Sequence, residues 1–266
     1  MITFPNIKIN IGLDILERRP DGYHNINSVF YPVNYTDILE ILPSKKFELI
    51  NEGITIDCPV EKNLCYKAWK LLNEKHDIGP VKIILYKNVA FGTGLGSGSS
   101  DATSTLLMLN KMFKLNLSED ILIEYAASIG ADCAFFVKNK PVLASDIGTQ
   151  FADVQLDLSG FYLLLCIPKV LVNTANAYKN CKPHIPEKKL SDLIQLPIEE
   201  WKNNIKNDFE SSIFLEYPIL NEIKQELYDK GAIYAQMSGS GSAVYGLFKR
   251  KNMKFENCSK SIWLDL

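Results

Sequence analysis

The sequence predicts an α+β fold, organised as one large domain or as two closely associated domains. Strand-like apolar runs and apolar segments with helical spacing are intermixed along the chain, which argues against an all-α or an all-β protein. A length of 266 residues is sufficient to bury a large core. The hydrophobic content of 47% and the charged content of 23% are ordinary for a globular protein. We expect a domain boundary near residue 150.

In the first half of the chain, apolar patterns predict two strands and three helices. The strands are expected at residues 38–42 and 81–85, where apolar residues with high β propensity are concentrated. One helix is expected over residues 63–72, and a second directly after a glycine-rich segment, because apolar residues recur there at helical spacing. Ser118 is suited to begin the third helix as its N-cap, and Gly130 is suited to end it.

The second half of the chain has the same mixture of elements. The apolar run at residues 161–167 predicts a strong strand. Residues 219–230 predict a helix, and strands are expected at residues 232–236 and 243–248, on either side of a second glycine loop. The segment at residues 183–197 is rich in proline and lysine, so we expect it to be an exposed excursion.

Charge and composition exclude several classes of function. The net charge is −2, and the arginines (Arg18, Arg19 and Arg250) form no cluster for a nucleic-acid backbone. No apolar run reaches membrane-spanning length, and the first residues lack the basic-then-apolar order of a signal peptide. The six cysteines include no CxxC pair, and Cys65, Cys133 and Cys166 lie in apolar segments. We therefore expect reduced thiols and a cytoplasmic protein with no nucleic-acid or membrane partner.

The most informative segment is the alternation of glycines and small residues at residues 92–98, called here the glycine run, which leads into Ser99, Ser100 and Asp101. Glycine lets backbone N–H groups turn toward one point, and a helix start adds unpaired N–H groups and partial positive charge. Such a junction binds phosphate. A flexible linker is the alternative, but apolar segments abut both sides. The run lacks the Gly-Lys-Ser/Thr ending of a P-loop and the third glycine of the dinucleotide pattern.

Four ordered segments together resemble the GHMP kinases, which are named after their galactose, homoserine, mevalonate and phosphomevalonate members. Residues 6–11 resemble the first motif of that family, and residues 92–101 resemble its central motif. Residues 130–132 resemble the aspartate segment, and residues 237–241, called here the C-terminal glycine loop, resemble the third motif. One glycine loop alone would be weak evidence, whereas four motifs in the same order and spacing span nearly the whole chain.

The resemblance implies a fold and an activity. The fold is a two-domain α+β structure, with a ribosomal-S5-like nucleotide-binding and catalytic domain at residues 1–150 and a ferredoxin-like α/β plait at residues 151–266 that binds the substrate. The activity is transfer of a phosphoryl group from ATP to a hydroxyl of a small-molecule substrate, with Mg²⁺ bridging phosphate oxygens. The oligomeric state stays open between a monomer and a homodimer.

One further segment, residues 18–24, resembles the signature of family members that phosphorylate 4-diphosphocytidyl-2-C-methyl-D-erythritol (cytidine diphosphate methylerythritol) on its 2-hydroxyl, in non-mevalonate isoprenoid biosynthesis. Residues 63–68 and 207–210 also resemble segments of those members. Read alone, the Pro-Asp-Gly sequence within residues 18–24 predicts a turn. The resemblance adds that Tyr23 stacks on the cytosine ring and that His24 bonds its edge. A homoserine or mevalonate type of kinase, and a non-catalytic nucleotide-binding relative, remain the alternatives.

For the chemistry, the resemblance implies that Asp132 is the general base and that Lys8 lies beside it. A nearby cation keeps a carboxylate ionised and favours the developing alkoxide. Taken alone, an aspartate just after a helix-ending glycine is a turn or cap residue, and a lysine in an apolar stretch extends its ammonium to the surface. The ordered motifs reverse that preference for both residues.

The resemblance also implies two sets of binding residues. The residues implied for ATP are Asn63, Lys87, Gly92, Thr93, Gly94, Leu95, Gly96, Ser97, Gly98, Ser99 and Ser100, and Ser100 is implied to help orient Mg²⁺. The residues implied for the substrate are Asn10, Tyr23, His24, Thr174, Tyr178, Gly239 and Ser240. Tyr178 is either a second ring facing Tyr23 or a core aromatic. The C-terminal glycine loop is a wall near the transferred phosphate, a tight turn between strands, or both.

At several positions the chain departs from the residues usual in the family. Ala90 and Ala134 stand where proline is usual, and Ser97 stands where glycine is usual. Asn139 and Lys140 replace a glycine pair, and Asp146 lies near another usual glycine. If the position of Ser97 required a positive φ, serine there would be strained by about 1–2 kcal/mol.

Overall fold

The computed structural model describes residues 1–251, 255 and 258–266. The strands are β1 (Ile2–Thr3), β2 (Asn6–Arg18), β3 (His24–Thr36), β4 (Ile38–Pro43), β5 (Glu48–Gly53), β6 (Val81–Lys87), β7 (Val142–Ser145), β8 (Gln150–Asp153), β9 (Tyr162–Ile167), β10 (Tyr234–Met237), β11 (Val244–Phe248) and β12 (Lys260–Asp265). The helices are α1 (Leu64–His76), α2 (Ser97–Met112), α3 (Glu119–Ile129), α4 (Phe135–Lys138), α5 (Thr174–Asn180), α6 (Leu190–Leu193), α7 (Ile198–Asn204), α8 (Glu210–Glu216) and α9 (Pro218–Asp229). A short 3-10 helix lies at Val60–Lys62.

One compact unit comprises residues 1–7, 35–91 and 96–140. Its sheet has the order β1-β4-β6-β5, in which β4 and β6 are antiparallel and β5 and β6 are parallel. Along β6, alternate residues are buried, as expected for a strand with one face toward a core. Helices α1 and α2 pack against each other. The core of this unit includes Leu39, Ala68, Ile83, Leu106 and Leu109.

The other compact unit comprises residues 8–34, 92–95 and 141–266. It contains an antiparallel sheet of order β10-β11-β9-β12, and most of a sheet of order β2-β3-β7-β8. Strand β9 lies between β11 and β12 and is buried over most of its length, which explains its continuous apolar sequence. Helix α9 packs on β10 and β11. It buries a stripe at helical spacing, formed by Leu220, Ile223 and Leu227.

The elements expected from apolar periodicity are confirmed, with ends that shift by a few residues. Ser118 is the N-cap of α3, because its Oγ accepts a hydrogen bond from the Ile121 N–H at 3.4 Å, and Gly130 is the C-cap residue. Strands β2 and β3 were not anticipated. Along β2, Ile7, Ile9 and Ile11 alternate with polar residues or glycine, so the strand pattern was present in the sequence. The polar residues Lys8, Asn10 and Ser28 of these two strands are buried as well.

The expectation for residues 183–197 is wrong in part. Helix α6 begins within this segment, and Leu190 and Ile194 are buried, because Leu190 packs over the backbone of Gly12. The boundary near residue 150 stays a prediction as a division of function. The expected thiols are confirmed, since Cys65, Cys133 and Cys166 are free and buried. Within the described part of the chain, no helix has the length and apolar character needed to cross a membrane.

Candidate active site

The backbone of the glycine run has a conformation that side chains would prevent. Gly92, Gly94 and Gly96 have φ values of 66°, 76° and 68°. A Cβ on Gly94 would lie 1.9 Å from the carbonyl oxygen of Ser238, so only glycine fits there. The Ser238 hydroxyl donates a hydrogen bond to the Gly94 carbonyl at 2.9 Å, and the Ala243 N–H donates to the Thr93 carbonyl at 3.0 Å. The first half of the glycine run therefore lies directly on the C-terminal glycine loop.

The second half of the glycine run is the start of α2. Gly96 is the N-cap residue, and no side chain caps the helix, so N–H groups of the first turn are available to a ligand. Ser97 begins the helix and is not among the residues with positive φ. The strain considered for serine at this position therefore does not arise. Ser97 and Ser100 are buried, and Gly98 and Ser99 are half-buried.

The turn that carries Asp132 is bonded to the same helix. The Thr103 hydroxyl, in the second turn of α2, lies 2.8 Å from the carbonyl oxygen of Cys133 and 3.0 Å from that of Ser99. Burial raises the pKa of the Cys133 thiol to about 11. A hydrogen bond from Ser99 to this thiol acts in the opposite direction and limits the increase. Asp132 is half-buried and follows α3. The structure thus brings the aspartate segment beside the first turn of α2.

Lys8 heads a chain of buried polar groups on β2 and β3. Its ammonium donates to Asn10 Oδ1 at 2.7 Å and lies 4.5 Å from the ring centroid of Phe30. Asn10 Nδ2 donates to the Ser28 hydroxyl at 2.8 Å, which in turn donates to the Gly12 carbonyl at 2.6 Å. Lys8 is only 3% exposed, so it is not a surface lysine. The pairing of Lys8 with Asp132 stays a prediction.

The residues implied for a cytosine base lie at the turn between β2 and β3. His24 stacks on Tyr178, with ring centroids 5.0 Å apart and planes 18° from parallel, and Tyr178 packs edge-on against Phe209. Burial and the nearby Arg18 lower the pKa of His24, which favours the neutral ring that can both donate and accept. Tyr23 is 61% exposed, so its ring is accessible for stacking on a base. The structure therefore places His24 against Tyr178, and the facing of Tyr178 and Tyr23 stays a prediction.

Lys87 occupies a different setting from the one expected for a nucleotide contact. Its side chain is fully buried, and its ammonium lies 2.5 Å from Asp37 Oδ2, 2.7 Å from Asp101 Oδ2 and 3.3 Å from the Ser97 hydroxyl. Asn63 is also engaged, because its Oδ1 accepts from the Cys65 N–H as the N-cap of α1. Contact of either residue with ATP stays a prediction.

The remaining substrate candidates lie at the C-terminal glycine loop. The hydroxyls of Ser240 and Thr174 are 2.9 Å apart, and Thr174 begins the exposed helix α5. Gly239 packs against Gly94 and Asn10. The loop joins β10 to β11, so the interpretation as a turn between strands is confirmed.

Two departures from the family pattern are accommodated by polar side chains. Asn139 and Asp146 have φ values of 50° and 60°, in the left-handed region that asparagine and aspartate tolerate. The Asn139 side chain exchanges hydrogen bonds with that of Asn6 at 2.7 and 3.2 Å. Asp146 forms an ion pair with Arg19 and accepts from Thr149.

Several residues of these sites were not identified from the sequence. Asp101 and Ser238 lie inside the motifs at residues 92–101 and 237–241, and Asn207 lies inside the segment at residues 207–210, so the family-like segments contain the signal for all three. Asp37 and Ser28 lie in no motif, and their local sequence carries no signal of a role.

Comparisons with known proteins identify the family of this chain. Residues 63–140 match the family described as the GHMP kinases N terminal domain, and residues 190–254 match the GHMP kinases C terminal family. A 4-diphosphocytidyl-2-C-methyl-D-erythritol kinase of Bacteroides fragilis is 52% identical over 264 residues, which cover 96% of each chain.

Solved structures show the same fold. The crystal structure of a 4-(cytidine 5'-diphospho)-2C-methyl-D-erythritol kinase has a TM-score of 0.80 and 29% identity, covering 93% of this chain and 90% of that one. A homoserine kinase from Cytophaga hutchinsonii has a TM-score of 0.67 and 18% identity, covering 92% of this chain and 85% of that one. At 18% identity, the similarity to the homoserine kinase concerns the fold alone.

Proposed function

Because the chain belongs to the GHMP kinases, and within them to the 4-diphosphocytidyl-2-C-methyl-D-erythritol kinases, we propose that it transfers a phosphoryl group from ATP to the 2-hydroxyl of 4-diphosphocytidyl-2-C-methyl-D-erythritol. This reaction is a step of non-mevalonate isoprenoid biosynthesis. The observation that carries the proposal is the bond from Thr103 to the Cys133 carbonyl, which holds the Asp132 turn beside the uncapped start of α2. An aspartate beside a phosphate-binding helix start is the arrangement that phosphoryl transfer to a hydroxyl requires.

Asp132 acts in this proposal as the general base. It accepts the proton of the substrate hydroxyl as that oxygen attacks the terminal phosphorus of ATP. Lys8 stabilises the negative charge that develops on the attacking oxygen. Asn10 accepts from the Lys8 ammonium at 2.7 Å and so fixes its position, while Ser28 fixes Asn10 in turn. Asn10 retains hydrogen-bonding capacity for the sugar-alcohol part of the substrate.

The residues present fit the phosphates of ATP. Close backbone approach at Gly94 and the uncapped first turn of α2 provide N–H groups and partial positive charge. When bound, Mg²⁺ neutralises charge on the phosphate oxygens. Ser100 is the residue that we propose to help orient it, and the remaining residues of the glycine run hold the phosphates.

The cytidine end of the substrate is proposed to bind at the stacked pair His24 and Tyr178. A neutral imidazole held in place by a ring can bond the cytosine edge, and the exposed ring of Tyr23 can close over the base. Thr174, Gly239 and Ser240 complete the substrate side of the site. The free cysteines agree with a cytoplasmic protein.

The test is a coupled ADP-release assay with Mg-ATP and 4-diphosphocytidyl-2-C-methyl-D-erythritol, with homoserine and mevalonate as control substrates. We expect turnover with the cytidyl substrate alone. Turnover with a control substrate only would keep phosphoryl transfer and discard the cytidine site. Tight binding of ATP and cytidyl substrate with no turnover, in folded protein, would favour a non-catalytic relative.

A further inference from the structure

Asn207 lies in a segment that is fixed to the strand carrying Lys8 and Asn10. The backbone of residues 206–208 runs parallel to β2, with a bridge between Leu13 and Asn207. The Leu13 N–H donates to the Lys206 carbonyl, and the Asp208 N–H donates to the Leu13 carbonyl, each at 2.9 Å. Backbone hydrogen bonds of its two neighbours therefore fix Asn207, which is 2% exposed.

The carboxamide of Asn207 uses its hydrogen-bonding groups on main-chain atoms. Its Nδ2 donates to the carbonyl oxygens of Met237 and Gly239, both at 2.8 Å, and its Oδ1 accepts from the Phe209 N–H at 3.0 Å. The opposite orientation of the amide would point Oδ1 at two carbonyl oxygens, so the network determines the orientation. One NH₂ group thus holds the C-terminal glycine loop on both sides of Ser238.

A second residue of the same segment holds the loop at its start. Glu210 Oε1 accepts from the Met237 N–H at 2.9 Å, and Glu210 Oε2 accepts from the Lys224 ammonium at 2.6 Å. Asn207 and Glu210 together therefore bind the N–H and the carbonyl group of Met237. The spacing of three residues between Asn207 and Glu210 thus lets one short segment bond both groups of Met237.

Ser238 connects the C-terminal glycine loop, which Asn207 and Glu210 hold, to the glycine run. Its hydroxyl donates to the Gly94 carbonyl at 2.9 Å and accepts from the Asn10 N–H at 3.2 Å. The loop backbone is in close contact with Gly94, as the 3.3 Å from a Cβ built on Gly239 to the Gly94 Cα shows. A shift of residues 237–239 would therefore displace both the Gly94 carbonyl and the backbone of Asn10.

We propose that Asn207 is a positioning residue, which clamps the C-terminal glycine loop and, through Ser238, keeps the first half of the glycine run in its nucleotide-binding shape. The inference rests on the proposed function, since it assumes that the glycine run binds the phosphates of a nucleotide. Asn207 itself contacts backbone and not the reacting groups. Its effect comes through geometry, because small displacements of groups that hold reactants reduce rates strongly.

The test uses Asn207→Asp, which keeps the shape and the acceptor toward Phe209 but replaces the NH₂ donor by an oxygen facing two carbonyl oxygens. The matched control is Asn204→Asp, because Asn204 donates only to the exposed Glu200 carbonyl at 2.9 Å. ADP affinity is measured by calorimetry, kcat and KM are measured for both substrates, and circular dichroism reports folding. For folded Asn207→Asp we expect ADP to bind at least about tenfold more weakly and kcat to fall by about 10- to 100-fold.

The outcomes separate this proposal from the proposed function. Wild-type turnover reports the reaction, whereas ADP affinity of the variant relative to wild type reports the clamp even without turnover. Wild-type ADP affinity and kcat in folded Asn207→Asp would overturn the clamp. If that variant does not fold, Ser238→Ala decides, because it removes the hydroxyl that links the loop to Gly94 and Asn10 and leaves the bonds of Asn207 in place. Weakened ADP binding in folded Ser238→Ala supports the proposal, and ADP binding equal to that of wild type overturns it.

Discussion

The Lys87 ammonium lies 2.7 Å from the Asp101 carboxylate, in a buried cluster that also contains Asp37. The cluster joins the end of β6 to the first turns of α2, and Asp37 Oδ1 additionally accepts from the N–H groups of Asn88 and Val89. Burial opposes the charged form of Lys87, but the Asp101 and Asp37 carboxylates raise the pKa of Lys87 above its ordinary value. One cation thus serves two buried carboxylates next to Ser97.

The first prediction concerns the removal of that cation. Lys87→Met leaves Asp37 and Asp101 buried without their counter-ion, so we expect a loss of about 3–5 kcal/mol in the free energy of unfolding. Denaturant unfolding measures this loss. Lys82→Met is the matched control, because Lys82 is on the same strand but half-buried, and it should change stability by no more than about 0.5 kcal/mol. Equal stabilities of the two variants would contradict the prediction.

The second prediction is a pH dependence of Asp101. Burial is the main cause that raises the pKa of Asp101 from 3.8 to about 7, with Lys87 opposing the effect and Asp37 reinforcing it. Between these pH values the folded state retains a proton that the unfolded state releases, so this group lowers stability as pH rises. Asp101→Asn cannot titrate. The free energy of unfolding of Asp101→Asn minus that of wild type should therefore increase from pH 3.8 to about 7 and then level off.

Stability curves for Asp101→Asn and wild type are measured in parallel over this range. The difference isolates Asp101 from other groups with raised pKa values, such as Asp14 and Glu210. The slope of the difference should not exceed about 1.4 kcal/mol per pH unit. Asp120→Asn, at an exposed position near the start of α3, should give a curve parallel to wild type. A stability curve of Asp101→Asn that runs parallel to that of wild type would contradict the raised pKa of Asp101.

The third prediction separates steric approach from backbone strain. Gly94→Ala and Gly160→Ala both place a side chain at positive φ, 76° and 86° respectively. Only at Gly94 does the new Cβ meet backbone, at 1.9 Å from the Ser238 carbonyl oxygen, whereas nothing lies within 4 Å at Gly160. Gly160→Ala should cost about 1 kcal/mol, and Gly94→Ala about 3 kcal/mol or more.

Gly94→Ala should also abolish or strongly weaken ADP binding, because the first half of the glycine run cannot keep its place on the C-terminal glycine loop. Thermal unfolding and calorimetry measure the two effects. A Gly94→Ala protein that binds ADP as wild type does would show that close approach at this position is not needed for the nucleotide.

The fourth prediction tests the base. Asp132→Asn keeps the shape of the side chain but cannot accept the proton of the substrate hydroxyl, so kcat should fall by about 10²–10⁴-fold. The Kd values of both ligands should be largely kept, since the change affects the reaction and not the binding surfaces. Asp120→Asn serves as the control with full activity. Near-normal turnover in Asp132→Asn would remove Asp132 from the role of base.

The fifth prediction tests stacking on the cytidine base. Tyr23 is 61% exposed, so Tyr23→Ala should leave the stability within about 0.5 kcal/mol of wild type. Loss of a stacked ring should raise the KM for the cytidyl substrate by about 3- to 10-fold and leave the KM for ATP unchanged. Tyr86→Ala, which removes another exposed ring on β6, should change neither KM. An unchanged KM in Tyr23→Ala would contradict stacking.

The sequence by itself determined the α+β class, the positions of the main helices and strands, and the segments that carry the site. Periodicity and capping are local properties, so α2, α3, β9 and α9 could be located within a few residues. The motifs identified the glycine run and the Asp132 turn for the same reason, since their chemistry requires particular residue types in a short segment.

Only the tertiary structure decided which side chains meet. Asn10 bonds Ser238, 228 positions later, and Lys87 pairs with Asp37, 50 positions earlier. The tertiary structure also stacks Tyr178 on His24 and places the Met237 and Gly239 carbonyl groups beside the Asn207 side chain. No local pattern encodes such pairs, because a hydrogen bond or an ion pair depends on the distance between atoms in the folded chain, and that distance is set by how sheets and helices pack.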